Sequence, residues 1–177
     1  MRLNLGCGDF PLPRAGGWEN WDEDRDVRPD VLRHVPPIDL ADGTVEEVYA
    51  GHLLEHFAYD EGQALLRECH RVLVPGGRLG VVVPHTRLIL SHYLRGNNPA
   101  CEVPAGRWWQ MSDLDEVCGL FLYSTCQRSP HRWSYDVTTL HRALGAAGFV
   151  HVVPMAHDDA RISVAAWWNL GMEAVRP

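Results

Sequence analysis

Short apolar runs alternate with amphipathic stretches along this chain, in an order of strand and helix that favours a largely parallel sheet. Arg2 to Leu5 is an apolar run that enters Gly6-Cys7-Gly8 directly. That pattern predicts a buried strand ending where the backbone must come close to something. Asp9 to Gly17 holds two Pro and two Gly, so a helix there is short or missing. Glu19 to Asp22 predicts a second strand ending on an acid, Asp30 to Val35 a weak third, and Val45 to Gly51 a fourth. Asp60 is expected to cap a helix over Glu61 to Leu73, with Leu65, Leu66, Cys69, Val72 and Leu73 facing inward. Pro75-Gly76-Gly77 ends that helix, and Arg78 to Val83 is the fifth strand. Residues 85–130 are broken by Asn97-Asn98-Pro99 and Pro104-Ala105-Gly106, and read as an irregular cap or lid. Asp136 opens a helix over Val137 to Ala147, and Phe149 to Val153 and Ile162 to Trp168 finish as strands.

Composition narrows the class. A chain of 177 residues with 46% hydrophobic and 22% charged content is expected to form one soluble domain, residues 1–177. Its net charge of -7 argues against a nucleic-acid backbone as the main partner, since phosphates call for clustered Lys and Arg. No apolar run is long enough to span a bilayer, and no signal peptide opens the sequence. Five irregularly spaced Cys, none in Cys-x-x-Cys, fit reduced thiols in the cytoplasm.

These pieces in this order resemble class I S-adenosylmethionine-dependent methyltransferases. Leu3-Asn4-Leu5-Gly6-Cys7-Gly8 is similar to the family's first motif, and Asp22 falls where the family has an acid after strand two. Asp42 to His56, Arg71 to Leu79, and His131-Arg132-Trp133-Ser134-Tyr135-Asp136 followed by Ala147-Gly148-Phe149 resemble later segments. The resemblance implies a Rossmann-like, doubly wound α/β fold with a mostly parallel seven-stranded sheet. Its last strand would be antiparallel, placed on Ile162 to Trp168, with the irregular insert after strand five. Glycines are missing after Gly8, and helices around strand one are lacking, so a minimal member is implied. A second copy of the chain, as a homodimer, is then expected to cover the exposed sheet face.

The cofactor implied is S-adenosyl-L-methionine, leaving as S-adenosyl-L-homocysteine. Its expected contacts are Leu5, Gly6, Cys7, Gly8, Asp22, His34, Val35, Gly51 and His52. NAD is the competitor, but its fingerprint needs a third Gly where this chain has Pro11, and a helix N-terminus for the pyrophosphate. A sulfonium cofactor needs neither.

Methyl transfer requires a base only for a hydroxyl or a protonated amine. His131, His85 and Tyr135 are the catalytic candidates, with His131 first. For any single His, a surface or structural role is the more common one. Arg87, Arg95, Arg107, Arg128 and Arg132 with Trp108 and Trp109 would suit a planar or anionic acceptor, or form a solvated lid. His52-Leu53-Leu54-Glu55-His56 matches the inverted zinc-protease pattern, which needs a long helix and a distant third ligand. Here it follows a strand, so Glu55 and His56 are expected to hold the loop, and no metal is expected. Cys101, Cys118, Cys126 and His131 lack any standard zinc spacing.

The expected function is methyl transfer to oxygen or nitrogen of a small-molecule acceptor, with no nucleic-acid or membrane partner. The alternatives are a macromolecule methyltransferase, for nucleic acid or protein, and a non-catalytic S-adenosylmethionine-binding partner subunit.

Overall fold

The computed structural model describes residues 1–95, 131–156, 159–162 and 168–177. Seven strands form one sheet: β1 (Arg2–Leu5), β2 (Trp18–Asp22), β3 (Val31–Leu32), β4 (Val45–Gly51), β5 (Leu73–Pro84), β6 (Val150–Pro154) and β7 (Asn169–Val175). Their order is β3-β2-β1-β4-β5-β7-β6, with β7 antiparallel to both neighbours. This is the Rossmann-like α/β architecture expected. Strand order reverses between β1 and β4, which puts the switch point beside the Gly6–Gly8 turn.

Three α-helices among the described residues accompany the sheet: α1 (Tyr59–Val72), α2 (Thr86–Leu94) and α3 (Val137–Ala146). Leu65, Leu66 and Cys69 of α1 and Leu140, Ala143 and Leu144 of α3 pack on Leu3, Leu5, Val48, Leu79, Val81, Val83, Leu170 and Met172. The strands alternate sides, so Asn4, Asn20, Glu47, Tyr49 and Val82 face the other way. On that face the 10–17 segment places Leu12, and the 155–162 segment places Met155 and Ile162. A short 3₁₀ turn at Arg14–Gly16 stands where the helix after β1 was expected to be short or missing.

Several expectations shift. Asp60 does not cap α1. Ala58 is the cap, and its N–H donates to Glu61 Oε2 (3.0 Å). Asp136 does cap α3, accepting from Thr139 N–H (2.8 Å). The Pro75-Gly76-Gly77 turn lies inside β5, with Gly76 at φ +79° and a register shift opposite Val45 and Glu47. Thr86–Leu94 is helical, where irregular structure was expected. The rest of the expected insert lies outside the described residues.

The last strand is misplaced by the sequence reading. It begins at Asn169, after the Trp pair, whereas Ile162 and Trp168 lie outside it. Residues 163–167 are outside the described residues. The true β7 alternates half-buried and buried positions, with Leu170, Met172 and Ala174 inward. Such alternation marks a strand with unlike faces, while the reading followed the continuous apolar run before it.

Candidate functional site

The site forms where β1, β2, β4 and β5 end. After β1 the chain turns through Gly6 at φ +64° and Gly8 at φ +50°. A Cβ on Gly6 would meet Leu53 Cδ1 at 2.7 Å, so the position needs Gly for both conformation and space. At Gly8 a Cβ would meet nothing within 4 Å, so the backbone there opens onto free space. Gly8 N–H donates to Asp22 Oδ2 (2.9 Å), and Asp24 N–H donates to Oδ1 (2.8 Å). Those bonds hold the carboxylate at the turn with acceptor capacity remaining. The residues read from spacing as a cofactor cradle are therefore together.

Leu5 and Cys7 lie beneath this turn, both buried. The Cys7 thiol is pushed up to about 11 by burial, with the negative charges of Asp22 and Asp30 adding to it. It is a packed thiol at neutral pH. His34 is exposed and pairs with Glu23, while Val35 is buried in the main core. Any contact from Val35 to a ligand would therefore be through its backbone.

Gly51 ends β4, and a Cβ there would meet the Tyr49 ring at 2.7 Å. His52 follows at φ +53°, uncommon for a residue with a Cβ, held by its N–H to Val82 O (2.8 Å). Its Nδ1 lies 3.1 Å from Glu55 Oε1, its Nε2 is buried without a hydrogen-bond partner, and its ring meets Trp168 edge-on. The 3₁₀ turn Leu54–His56 carries Glu55, which is 2% exposed. Burial alone would raise its pKa. The His52 hydrogen bond and the nearby imidazoles of His52, His56 and His131 outweigh that and hold it below the usual carboxylate range.

Sequence spacing gave no sign of what lies against this turn. The N–H groups of Arg132 and Trp133 both donate to the Glu55 carbonyl (2.8 and 3.1 Å). They bring His131 to the turn, with its Nε2 3.9 Å from Glu55 Oε1 and its ring edge-on to His56. Arg132 Nη1 adds a bond to Glu61 Oε2 (2.5 Å).

His85 follows β5 on the same edge. Its N–H donates to Trp168 O (2.7 Å), and burial lowers its pKa, so the ring is neutral at pH 7. Tyr135 pairs with His85 through the backbone, but its side chain is 1% exposed, in the core. Its hydroxyl lies 3.3 Å from where a Cβ of Gly62 would be, and burial raises its pKa. The phenol thus packs against α1, while Tyr135 is also among the residues that border a groove beside it. This groove, of about 330 Å³, is lined by Arg87, Leu90, Ser134, Asp136 and Thr139 among others. Arg107, Arg128, Trp108, Trp109, Cys101, Cys118 and Cys126 lie outside the described residues.

Residues 22–81 match the model of the methyltransferase domain. No curated protein matches the chain in sequence. Among solved structures, a methyltransferase dependent on S-adenosylmethionine from Mesorhizobium loti superposes with a TM-score of 0.60 at 19% identity, covering 99% of this chain and 90% of that one. One from Archaeoglobus fulgidus gives 0.62 at 14%, covering 98% and 85%. Magnesium protoporphyrin IX methyltransferase from Synechocystis, with bound S-adenosylhomocysteine, gives 0.56 at 16%, covering 100% and 74%. At these identities the likeness is one of fold. No described helix is long and apolar enough to cross a membrane.

Proposed function

From the match of residues 22–81 to the methyltransferase domain model and the fold shared with methyltransferases dependent on S-adenosylmethionine, we propose that the chain is a class I S-adenosylmethionine-dependent methyltransferase that moves a methyl group to oxygen or nitrogen of a small-molecule acceptor. One observation carries the reading. The Gly6–Gly8 turn, the Asp22 carboxylate and the Gly51–His52 turn meet at the switch point of the sheet, and the backbone at Gly8 opens onto free space.

The residues fit the implied cofactor. Asp22 can accept from ribose hydroxyls, Gly8 leaves room for close approach, and the buried Nε2 of His52 offers a polar contact near the end of β4. When bound, S-adenosylmethionine supplies a methyl group already activated by its sulfonium charge. The protein's work is then placement and exclusion of water. His85, neutral at pH 7, is the group we assign to take a proton from a hydroxyl or ammonium acceptor. The acidic net charge of -7 favours a small molecule over a nucleic acid.

Calorimetric titration with S-adenosylhomocysteine, with NAD as control, tests this. Micromolar binding of the first alone is expected, weakened about 10- to 100-fold by Asp22→Ala through loss of charged hydrogen bonds. Absence of S-adenosylhomocysteine binding would refute the assignment. A salt-sensitive shift of RNA or DNA would move the acceptor to nucleic acid.

A further inference from the structure

The turn after β4 gathers more donor atoms than cofactor binding uses. One oxygen or nitrogen from each of Glu55, His56 and His131 lies within 4.8 Å of the others. The backbone fixes this meeting, because two N–H groups of the 131–133 segment share the Glu55 carbonyl. A second observation is independent of the clustering: Glu55 Oε2 is buried and has no hydrogen-bond partner. An ionised carboxylate oxygen left unpaired in the interior is costly, and a cation there removes the cost. Oε1, the oxygen 3.9 Å from His131 Nε2, also lies 3.1 Å from His52 Nδ1, so an outer imidazole orients the carboxylate while Oε2 stays open to an ion.

We propose that Glu55, His56 and His131 form a binding site for one divalent transition-metal ion, with His52 as the positioning residue for Glu55. Two imidazoles and one carboxylate suit zinc and its neighbours, whereas magnesium and calcium prefer all-oxygen shells. Donors on a tetrahedral zinc with bonds near 2.0–2.1 Å stand about 3.3 Å apart, so binding closes the cluster by about 1.5 Å at its widest. Three protein donors leave a coordination position open, the feature of catalytic rather than structural zinc sites. That an acceptor donor atom occupies it rests on the methyltransferase reading. The metal site itself does not. His131 is then a ligand, which leaves His85 as the proton acceptor.

The test is calorimetric titration of the metal-stripped full chain with zinc chloride. One ion per chain at micromolar or tighter Kd is expected. His56→Ala and His131→Ala should each weaken it about 100-fold or more, and His52→Ala about 10- to 100-fold. His141→Ala, on the exposed side of α3, should leave it unchanged. A zinc-edge X-ray absorption spectrum of the wild-type chain should show only nitrogen and oxygen neighbours, and decides alone if a variant fails to fold. A sulfur shell, or binding indifferent to His56 and His131, assigns the ion elsewhere and overturns the proposal. The same metal-free chain is titrated with S-adenosylhomocysteine. If the chain binds that ligand but takes up no zinc, only the metal site is removed. Zinc without that ligand removes only the methyltransferase reading.

Discussion

On one face of the sheet, α1 and α3 bury leucines and valines against β1, β4, β5 and β7. On the other, no described α-helix is seen to pack, and a small apolar cluster around Leu12, Trp18, Tyr49 and Val82 is held in place by a network of polar contacts. Asn20 Oδ1 accepts from Leu12 N–H (2.7 Å) and from Asn4 Nδ2 (2.9 Å), and Asn20 Nδ2 donates to Leu12 O (3.0 Å). Asp30 Oδ2 in turn accepts from Asn20 (2.8 and 2.9 Å). Further along, Arg161 bonds to Asp159, to Glu47 (2.6 Å) and to Glu173 (2.9 Å), and lies over the Tyr49 ring. A helix closes a face through area, which is forgiving of detail. A loop stretched over strands has little area to bury, so each of its backbone groups needs a named partner. The helix face should therefore fail by cavities, and the polar face by orphaned partners.

The largest effect expected on the polar face is at Arg161. Arg161→Ala leaves Glu47, 5% exposed, without its closest charge partner. Leaving a buried charge wholly uncompensated costs about 3–5 kcal/mol. With Arg2 (3.4 Å) and Arg78 (3.7 Å) still beside Glu47, the loss should fall at the lower end of that range, which urea unfolding would read. Leu144→Ala on the helix face should cost about 2–5 kcal/mol. Size does not separate the two faces, but coupling does. Glu47→Gln added to Arg161→Ala should recover about 1–3 kcal/mol, while Leu144→Ala should add to Arg161→Ala within about 0.5 kcal/mol. Equal additivity for both pairs would erase the distinction. Acid unfolding sharpens it. Arg161 holds the Asp159 carboxyl below its ordinary value. That stability is present above the unfolded carboxylate range and is lost as pH falls through the lowered folded value. The Arg161→Ala variant should show a flatter limb below about pH 4.

A smaller loss is expected at Asn20. Asn20→Ala strands the N–H and C=O of Leu12 and one donor of Asn4, at about 2–3 kcal/mol. The loop that Asn20 pins follows the Gly6–Gly8 turn, with Phe10 N–H donating to Cys7 O (3.0 Å). Affinity for S-adenosylhomocysteine should therefore fall along with stability. Loss of stability with unchanged affinity would show that the cofactor turn stands on Asp22 alone.

The same division decides what the sequence could disclose. β4, α1 and α3 were readable because buried faces impose a period of two or 3.6 on the residues that form them. Gly6, Gly8 and Asp22 were readable because a tight turn and a following acid each need particular residue types in short range. Arg161 was not, because a lone Arg between two strands carries no period and its partners lie 12 and 114 positions away. β7 was missed because a continuous Trp-rich run outweighed a quieter alternation beside it. The meeting of Glu55 with His131 rests on backbone bonds to a carbonyl, which leave no mark in side-chain identity.

The smallest effect sits on the helix face, at His70 near the end of α1. Its ring meets Phe149 edge-on, and its Nε2 lies 3.1 Å from where a Cβ of Gly148 would be. Burial lowers its pKa, and the positive charge of Arg176 lowers it further. The folded state therefore binds this proton less readily than the unfolded chain. Stability from a neutral His70 is complete above the unfolded value of about 6.5, and is lost as pH falls through the lower folded value. His70→Gln should flatten the fall in stability just below pH 6.5, measured as the difference from wild type. The limb below about pH 4, where Asp159 and Arg161 act, should stay as it was. If His70→Gln instead changes only the lower limb, the two faces do not titrate separately, and the contrast between packing by area and packing by partner loses its pH signature.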